Sequence, residues 1–356
     1  MKKSEFLIQG LRSKIETLPP GQKLPSIRTL IRQFQTSLHS LNIALRELES
    51  EGLVTIRHGS GVFVNSQKGT RYIEFHRDLY PKVSIDTKEA SLAKALGKAG
   101  WSTIVQNYHS GNSSLDITPN KEAHAHVVLS SLVASTPRWL NSILESGKPT
   151  VLYGREGSPY QLEYVTGDEH HYLSLLIKHL KALKHRNIAF LVNEPASINM
   201  HNRCDIFQTM LDMLELEPGI IIPCDTEYGE SSTVKAKEGL EKHLQKTKGK
   251  VDFTALICAS SAGVVGAMRA LHNHGLSIPK DCSLASFGRH EQNSLLVPSV
   301  TEAGAQDDAW GEAVVEVLKN RFKNPDSPLK GIKLKAELFP KESTGTPPQK
   351  VDSSKA

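Results

Sequence analysis

Cysteine is scarce, with four in 356 residues. Cys204, Cys224, Cys258 and Cys282 are widely spaced and form no CxxC pair, which argues against a disulfide framework or a thiolate zinc site. Three of them lie in or beside apolar segments and are expected to be buried, reduced thiols. Long apolar runs are missing too. The longest, Thr254–Met268, is interrupted by Ser260 and Ser261 and is too short to span a bilayer. The amino-terminal MKKSEFLIQGLRSKIE has no uninterrupted apolar core and no small-residue cleavage site, so a soluble, cytoplasmic chain with no membrane partner is expected. Catalytic signatures are absent as well. There is no G-x-S-x-G elbow, no G-x-x-x-x-G-K-[ST] loop, and no G-x-G-x-x-G opening a helix. The close histidine pairs His124/His126, His170/His171 and His272/His274, and the looser His185 and His201, come without a neighbouring Cys or acidic cluster of ligand spacing. They are expected at the surface or at helix ends. The expectation is therefore no enzyme, no metal and no cofactor.

Charge is uneven where it is present. Residues 1–67 hold nine Lys/Arg, five Glu and no Asp, giving +4 of the chain's +5. A small basic region ahead of a large, nearly neutral one points to a polyanion partner for the first only. Within it, Ile8, Leu11, Ile15 and Leu18 repeat at helical spacing and Pro19-Pro20-Gly21 ends the helix. Ser26 is a good N-cap for a second helix with Ile27, Leu30, Ile31 and Phe34 inward. A third helix from about Leu38 to Glu51 turns Leu38, Leu41, Leu45 and Leu48 inward and stops at Gly52. VTIRHGSGVFV (54–64) then reads as a hairpin, with glycines at its bend.

Three helices and a hairpin describe a winged helix-turn-helix. The third helix leaves Ser37, His39, Ser40, Asn42 and Arg46 on its polar side, small or hydrogen-bonding groups able to reach base edges in a major groove. Arg57, His58 and Gly59 form the tip of the wing, where a duplex backbone can approach closely. The bland alternative is a solvated polar face on a winged helix that docks other proteins.

GQKLPSIRTLIRQF and SLHSLNIALRELESEGLVTIRHGSGVFV also resemble the DNA-binding domain of GntR-type bacterial regulators over about residues 4–65, in PGxxLPS, ALxxLExEGLV and GxGxFV. The resemblance implies a double-stranded DNA operator read by a homodimer. It places Arg28, beside Ser26, at a phosphate-contacting position and His58-Gly59 at the wing tip. Leu38 and Asn42 stand where the family usually has arginines, so its usual operator core is not expected, and Asn42 can instead pair with adenine.

Beyond a polar linker at 66–70, apolar β-rich runs alternate with helical patterns, which implies parallel sheets covered on both faces. Ligands bind beyond the carboxyl ends of such strands. The candidates are His76-Arg77-Asp78, Tyr108, Gly154-Arg155, Asn193, Ser260-Ser261 and Gly288-Arg289-His290, each with the simpler reading of a polar group capping the next helix. Residues 341–356 have little apolar content and are expected to be disordered.

Residues 71–340 resemble the effector domain of LacI/GalR-type repressors, most firmly in HLKALKHRNIAFLV (179–192) and AGVVGAMRALHNHGLSIPKDCSLASFG (262–288). The resemblance implies an α/β chain whose winged helix precedes a two-lobed, periplasmic-binding-protein-like domain. The expected lobes are 71–166 with 302–325 and 167–300 with about 331–340, joined by three crossovers. An effector is expected between them. The resemblance puts Arg203 at an effector-gripping position and Asp168 at the start of the helix after the first crossover. The family's carboxylates at 154, 261 and 288 are Gly154, Ser261 and Gly288 here. With Arg155, Arg203 and Arg289 near the cleft, three readings stay open: an anionic sugar derivative or another anion, a sugar held through the serines, or loss of effector binding. A repressor controlled by a sugar or sugar derivative is the expected function.

Overall fold

In the computed structural model, residues 3–19, 21–57, 59–65, 71–78, 83–108, 118–129, 138–247 and 251–348 are described. The linker at 66–70 and His58 lie outside them.

The amino-terminal domain has the expected order: α1 (Lys3–Glu16), α2 (Ile27–Phe34), α3 (Leu38–Ser50) and the hairpin β1 (Val54–Arg57) and β2 (Gly61–Val64). Ser26 caps α2 by accepting from the Thr29 amide, and Ser37 caps α3 by accepting from the Ser40 amide. Leu11, Leu30, Leu41, Ala44, Leu45 and Leu48 close the core with Val54, Val62 and Val64 of the hairpin. Leu38 departs from the expectation, being 54% exposed. It is the first residue of α3 and projects beyond the edge of that core, so helical spacing alone misplaces it.

The rest forms two parallel sheets with helices on both faces. Lobe 1 has strand order β13-β7-β6-β5-β3-β4, from β3 (Tyr72–Asp78), β4 (Ser102–Tyr108), β5 (Ala125–Leu129), β6 (Thr150–Tyr153), β7 (Glu163–Gly167) and β13 (Gly331–Leu334). Lobe 2 has order β14-β12-β11-β10-β8-β9, from β8 (Ile188–Val192), β9 (Ile220–Pro223), β10 (Ala255–Cys258), β11 (Ser283–Phe287), β12 (Thr301–Gly304) and β14 (Glu337–Phe339). Only β14 runs antiparallel to its neighbour in these two sheets. The helices are α4 (Val83–Lys98) and α5 (Arg138–Glu145) in lobe 1, then α6 (Glu169–Ala182), α7 (Ile198–Met213), α8 (Ser232–Lys246) and α9 (Val264–Asn273) in lobe 2. Finally α10 (Asp307–Lys323) returns to pack against α4. There, Gly311 lets the helices meet: a Cβ on it would lie 2.2 Å from the Ser91 carbonyl oxygen.

The chain crosses between lobes three times, but the allocation differs from that expected. β12 pairs with β11 and so belongs to lobe 2, whereas β13 pairs with β7 and belongs to lobe 1. Both are short strands whose partners lie far away in sequence, so local pattern does not assign them. All four cysteines are free, and Cys224, Cys258 and Cys282 are buried.

Residues 341–348, held by polar contacts rather than apolar ones, are a second correction, while 349–356 lie outside the described residues. Buried Ser343 accepts from the Thr301 amide at 2.8 Å and donates to the Leu284 carbonyl at 2.6 Å. Beyond it, the Gly345 carbonyl lies 2.8 Å from His185 Nε2. Ending the chain after Pro340 removes these partners. At about 1–3 kcal/mol for each buried group left unpaired, we expect a loss of at least about 2 kcal/mol, lowering the Tm by roughly 4–8 °C. A melting curve unchanged by the truncation would show that the tail contributes nothing.

Candidate functional site

Two surfaces collect the candidate residues. The first is on the winged helix. Ser37, His39, Ser40, Asn42 and Arg46 are all exposed along α3, and Arg28 is exposed on α2. Ser26 and Ser37 are exposed and spend their side chains on capping, accepting from the Thr29 and Ser40 amides at the positive dipole ends of α2 and α3. The hairpin bend carries Gly59 at φ +72° and Gly61 at φ +116°, a left-handed geometry that favours glycine. Arg57 stacks over Phe63 at 4.9 Å, and Lys23 approaches the same ring at 5.9 Å. Lys23 went unrecognised in the sequence because only a bridge to Phe63 brings it to the wing. Ile43, 48% exposed, joins Leu38 as an apolar group exposed on α3.

The second surface is a cleft between the lobes. It is lined by Arg203, Ser260, Ser261, Gly288 and Arg289 from lobe 2 and by Gly154, Thr166, Lys88 and Trp310 from lobe 1. Arg203 on α7 donates from Nε to Glu169 Oε1 at 2.8 Å, with Nη2 also 2.8 Å from that oxygen, and from Nη1 to the Ala259 carbonyl at 2.8 Å. Its guanidinium lies 4.0 Å over the Phe287 ring. Arg289 donates to Gln306 at 2.7 Å and faces Asp307, at the start of α10, at 3.7 Å. That second pair bridges the two lobes. Burial raises the Asp307 carboxyl above its usual range, and the Arg289 guanidinium opposes the rise. A second bridge is made by Tyr228 of lobe 2, whose hydroxyl lies 2.7 Å from Asp78 of lobe 1.

Several expected residues are elsewhere. Arg77 still belongs to β3 and pairs with Asp86 and Glu89 of α4. Tyr108 ends the edge strand β4, is buried, and donates to the Leu129 carbonyl. Arg155 is buried and turned onto Tyr160. None of the three lines the cleft. Asn193 is fully buried and organises the turn that presents Ser260: its Nδ2 donates to Ser260 Oγ at 2.8 Å and its Oδ1 accepts from the Ser260 amide. Ser260 in turn donates to buried Glu194. Its hydroxyl is therefore largely committed within the protein. Asp168 caps α6 by accepting from the His171 amide, as its place after the crossover implied.

In the cleft, Glu169, Asp307 and Trp310 are among the candidates that sequence reasoning missed. The carboxylates of Glu169 and Asp307 stand in the first turns of α6 and α10, where acidic groups ordinarily serve the helix dipole. The available signal was their place immediately after a crossover.

An exposed basic winged helix ahead of a two-lobed, ligand-sized cleft defines a DNA-binding regulator with a sensor domain. Comparison with known proteins agrees. Residues 3–64 match the model of bacterial regulatory proteins of the gntR family, and residues 177–344 match a periplasmic binding protein-like domain. The chain is a helix-turn-helix transcriptional regulator that joins these two domains. It is 24% identical over 265 residues to the transcriptional regulator MalR of Streptomyces coelicolor, covering 72% of this chain and 76% of that one. It is 23% identical over 309 residues to the arabinose metabolism transcriptional repressor of Geobacillus stearothermophilus, covering 76% and 77%. Among solved structures, a LacI family regulator from Enterococcus faecium with bound ribose aligns with a TM-score of 0.63 at 20% identity, over 78% of this chain and 99% of that one. The lac repressor dimer bound to operator and an anti-inducer aligns at 0.65 and 15% identity, over 79% and 96%. No helix among the described residues is long and apolar enough to cross a membrane.

Proposed function

We propose that this regulator is a sugar-responsive repressor, dimeric on a two-fold operator, whose effector is a neutral sugar bound between the lobes. The ion pairs Arg203–Glu169 and Arg289–Asp307 carry this reading. An arginine already matched by a carboxylate attracts an anion weakly. The pair instead sets donors and acceptors side by side, which suits a hydroxyl that both donates and accepts. Trp310, half-buried on the cleft wall, supplies apolar ring surface for the C–H face of a sugar. The carboxylates absent at 154, 261 and 288 are thus supplied from other helices. Ribose in the E. faecium regulator and the arabinose metabolism of the G. stearothermophilus relative support the ligand class.

Coupling to DNA has a physical route. Helix α10 begins in the cleft at Asp307 and Trp310 and spans about 25 Å at 1.5 Å per residue. Its far end carries Phe322, on which Arg71 stacks at 3.7 Å, and α3 packs against the same helix. A sugar that prefers one arrangement of the lobes therefore shifts the winged helices, and tight binding without such preference shifts nothing. Two copies are needed because one recognition helix reads too few base pairs.

Thermal melting across neutral sugars, sugar phosphates, sugar acids and nucleosides tests the proposal. At a hundredfold excess over Kd a ligand adds about 2.7 kcal/mol, so a neutral sugar should raise the Tm by several degrees. Stabilisation by anionic derivatives alone, or by none of the panel, would overturn it.

A further inference from the structure

A second polar cluster lies in lobe 1, away from the cleft. Glu74 and His76 are two residues apart on β3 and so point to the same face, and His126 on β5 is the register partner of Glu74. All three are buried, with at most 2% exposure. The expectation that the His124/His126 pair is a surface feature therefore fails for His126, because the acidic partner comes from a neighbouring strand rather than from nearby sequence. His126 Nδ1 lies 3.1 Å from Glu74 Oε2 and 3.2 Å from His76 Nε2, and the remaining separation, His76 Nε2 to Glu74 Oε2, is 3.5 Å.

We propose that Glu74, His76 and His126 bind one zinc-like divalent transition-metal ion that ties β3 to β5. Ligand atoms 2.0–2.1 Å from a tetrahedral metal are about 3.3 Å apart, and the three separations here bracket that edge. Two imidazoles and a carboxylate are a donor set suited to zinc. The surrounding hydrogen bonds orient the ligands. Ser146 Oγ donates to the Ile143 carbonyl at 2.5 Å and lies 3.3 Å from His126 Nε2, so its proton is committed and His126 Nε2 carries the hydrogen in that contact. In the neutral ring, Nδ1 then presents a lone pair to Glu74 and His76, the tautomer a metal needs. With no cation between them, that lone pair would oppose a carboxylate oxygen at 3.1 Å. Glu74 Oε2 is also fixed by the Asn120 amide at 2.9 Å. The fourth coordination position falls to a water or to the other oxygen of Glu74.

The full-length protein, stripped with chelator and dialysed, is titrated with Co²⁺ and with Zn²⁺ and its metal content measured. One Co²⁺ per chain with the visible spectrum of a tetrahedral site is expected, along with a zinc-dependent rise in Tm. Glu74→Gln and His76→Ala should each abolish that spectrum, whereas His272→Ala, on an exposed helix end, should leave it unchanged. Circular dichroism checks that the variants fold, and the wild-type spectrum decides the matter if they do not. Absence of stoichiometric metal, a six-coordinate spectrum, or tetrahedral binding that survives both substitutions would overturn the site. The cluster would then be held by shared protons alone.

Discussion

Arg203→Ala is expected to lower affinity for the stabilising sugar by about 30- to 1000-fold while leaving binding to operator DNA without sugar intact. The guanidinium donates one hydrogen bond to Glu169 and one to the Ala259 carbonyl, makes a second ion-pair contact with Glu169, and covers the Phe287 ring. Its loss removes a donor from the sugar and leaves a part-buried carboxylate in the cleft without its cation. Truncating one member of such a pair costs about 2–4 kcal/mol, which gives the stated range at 1.4 kcal/mol per tenfold. Calorimetric titration of the variant measures it. Sugar affinity within threefold of the wild type would remove Arg203 from the site.

Asn42→Ala is expected to weaken binding to a selected operator far more than binding to random duplex. A side-chain amide paired with adenine contributes about 1–3 kcal/mol of discrimination. Two half-sites double this to about 2–6 kcal/mol, a loss of roughly 30-fold or more. The neighbours support an A·T-containing half-site. Leu38 and Ile43 flank Asn42 in sequence on α3, are both exposed, and offer apolar contact to thymine methyls. Because Asn42 neutralises no phosphate, the salt dependence should keep its slope. Arg28→Ala should do the opposite, weakening all duplexes alike and flattening the slope. Fluorescence anisotropy over a salt series separates the two. An equal loss on operator and random duplex for Asn42→Ala would place that residue outside base readout.

The winged helix was legible because its signals are local. Capping serines, apolar repeats and the glycine bend lie within a few residues of the contacts they make. Leu38 was the exception, since spacing marks a stripe but not where the core ends. In the larger domain, strand and helix identity could be read but partnership could not. β12 and β13 exchanged lobes, and Ser343 docked through hydrogen bonds that no hydropathy pattern records. The cleft was half legible for the same reason. Arg203, Ser260, Ser261 and Arg289 follow strands or match a familiar position, whereas Glu169, Asp307 and Trp310 line the cleft only because two helices begin there. Arg77, Tyr108 and Arg155 also stand near strand ends, yet their side chains turn to local partners. The Glu74–His76–His126 cluster shows the same limit, being assembled across two strands about fifty residues apart.

In the proposed function, sugar bound in the cleft alters the hold on DNA. The most direct test is the affinity of the full-length protein for a selected operator, measured with and without saturating stabilising sugar. Typical coupling between sites is about 1–3 kcal/mol, or 5–150-fold. We predict a fall within that range, lost in Arg203→Ala at the same sugar concentration. An operator affinity unchanged in fully sugar-bound protein would show that the cleft and the winged helix are uncoupled.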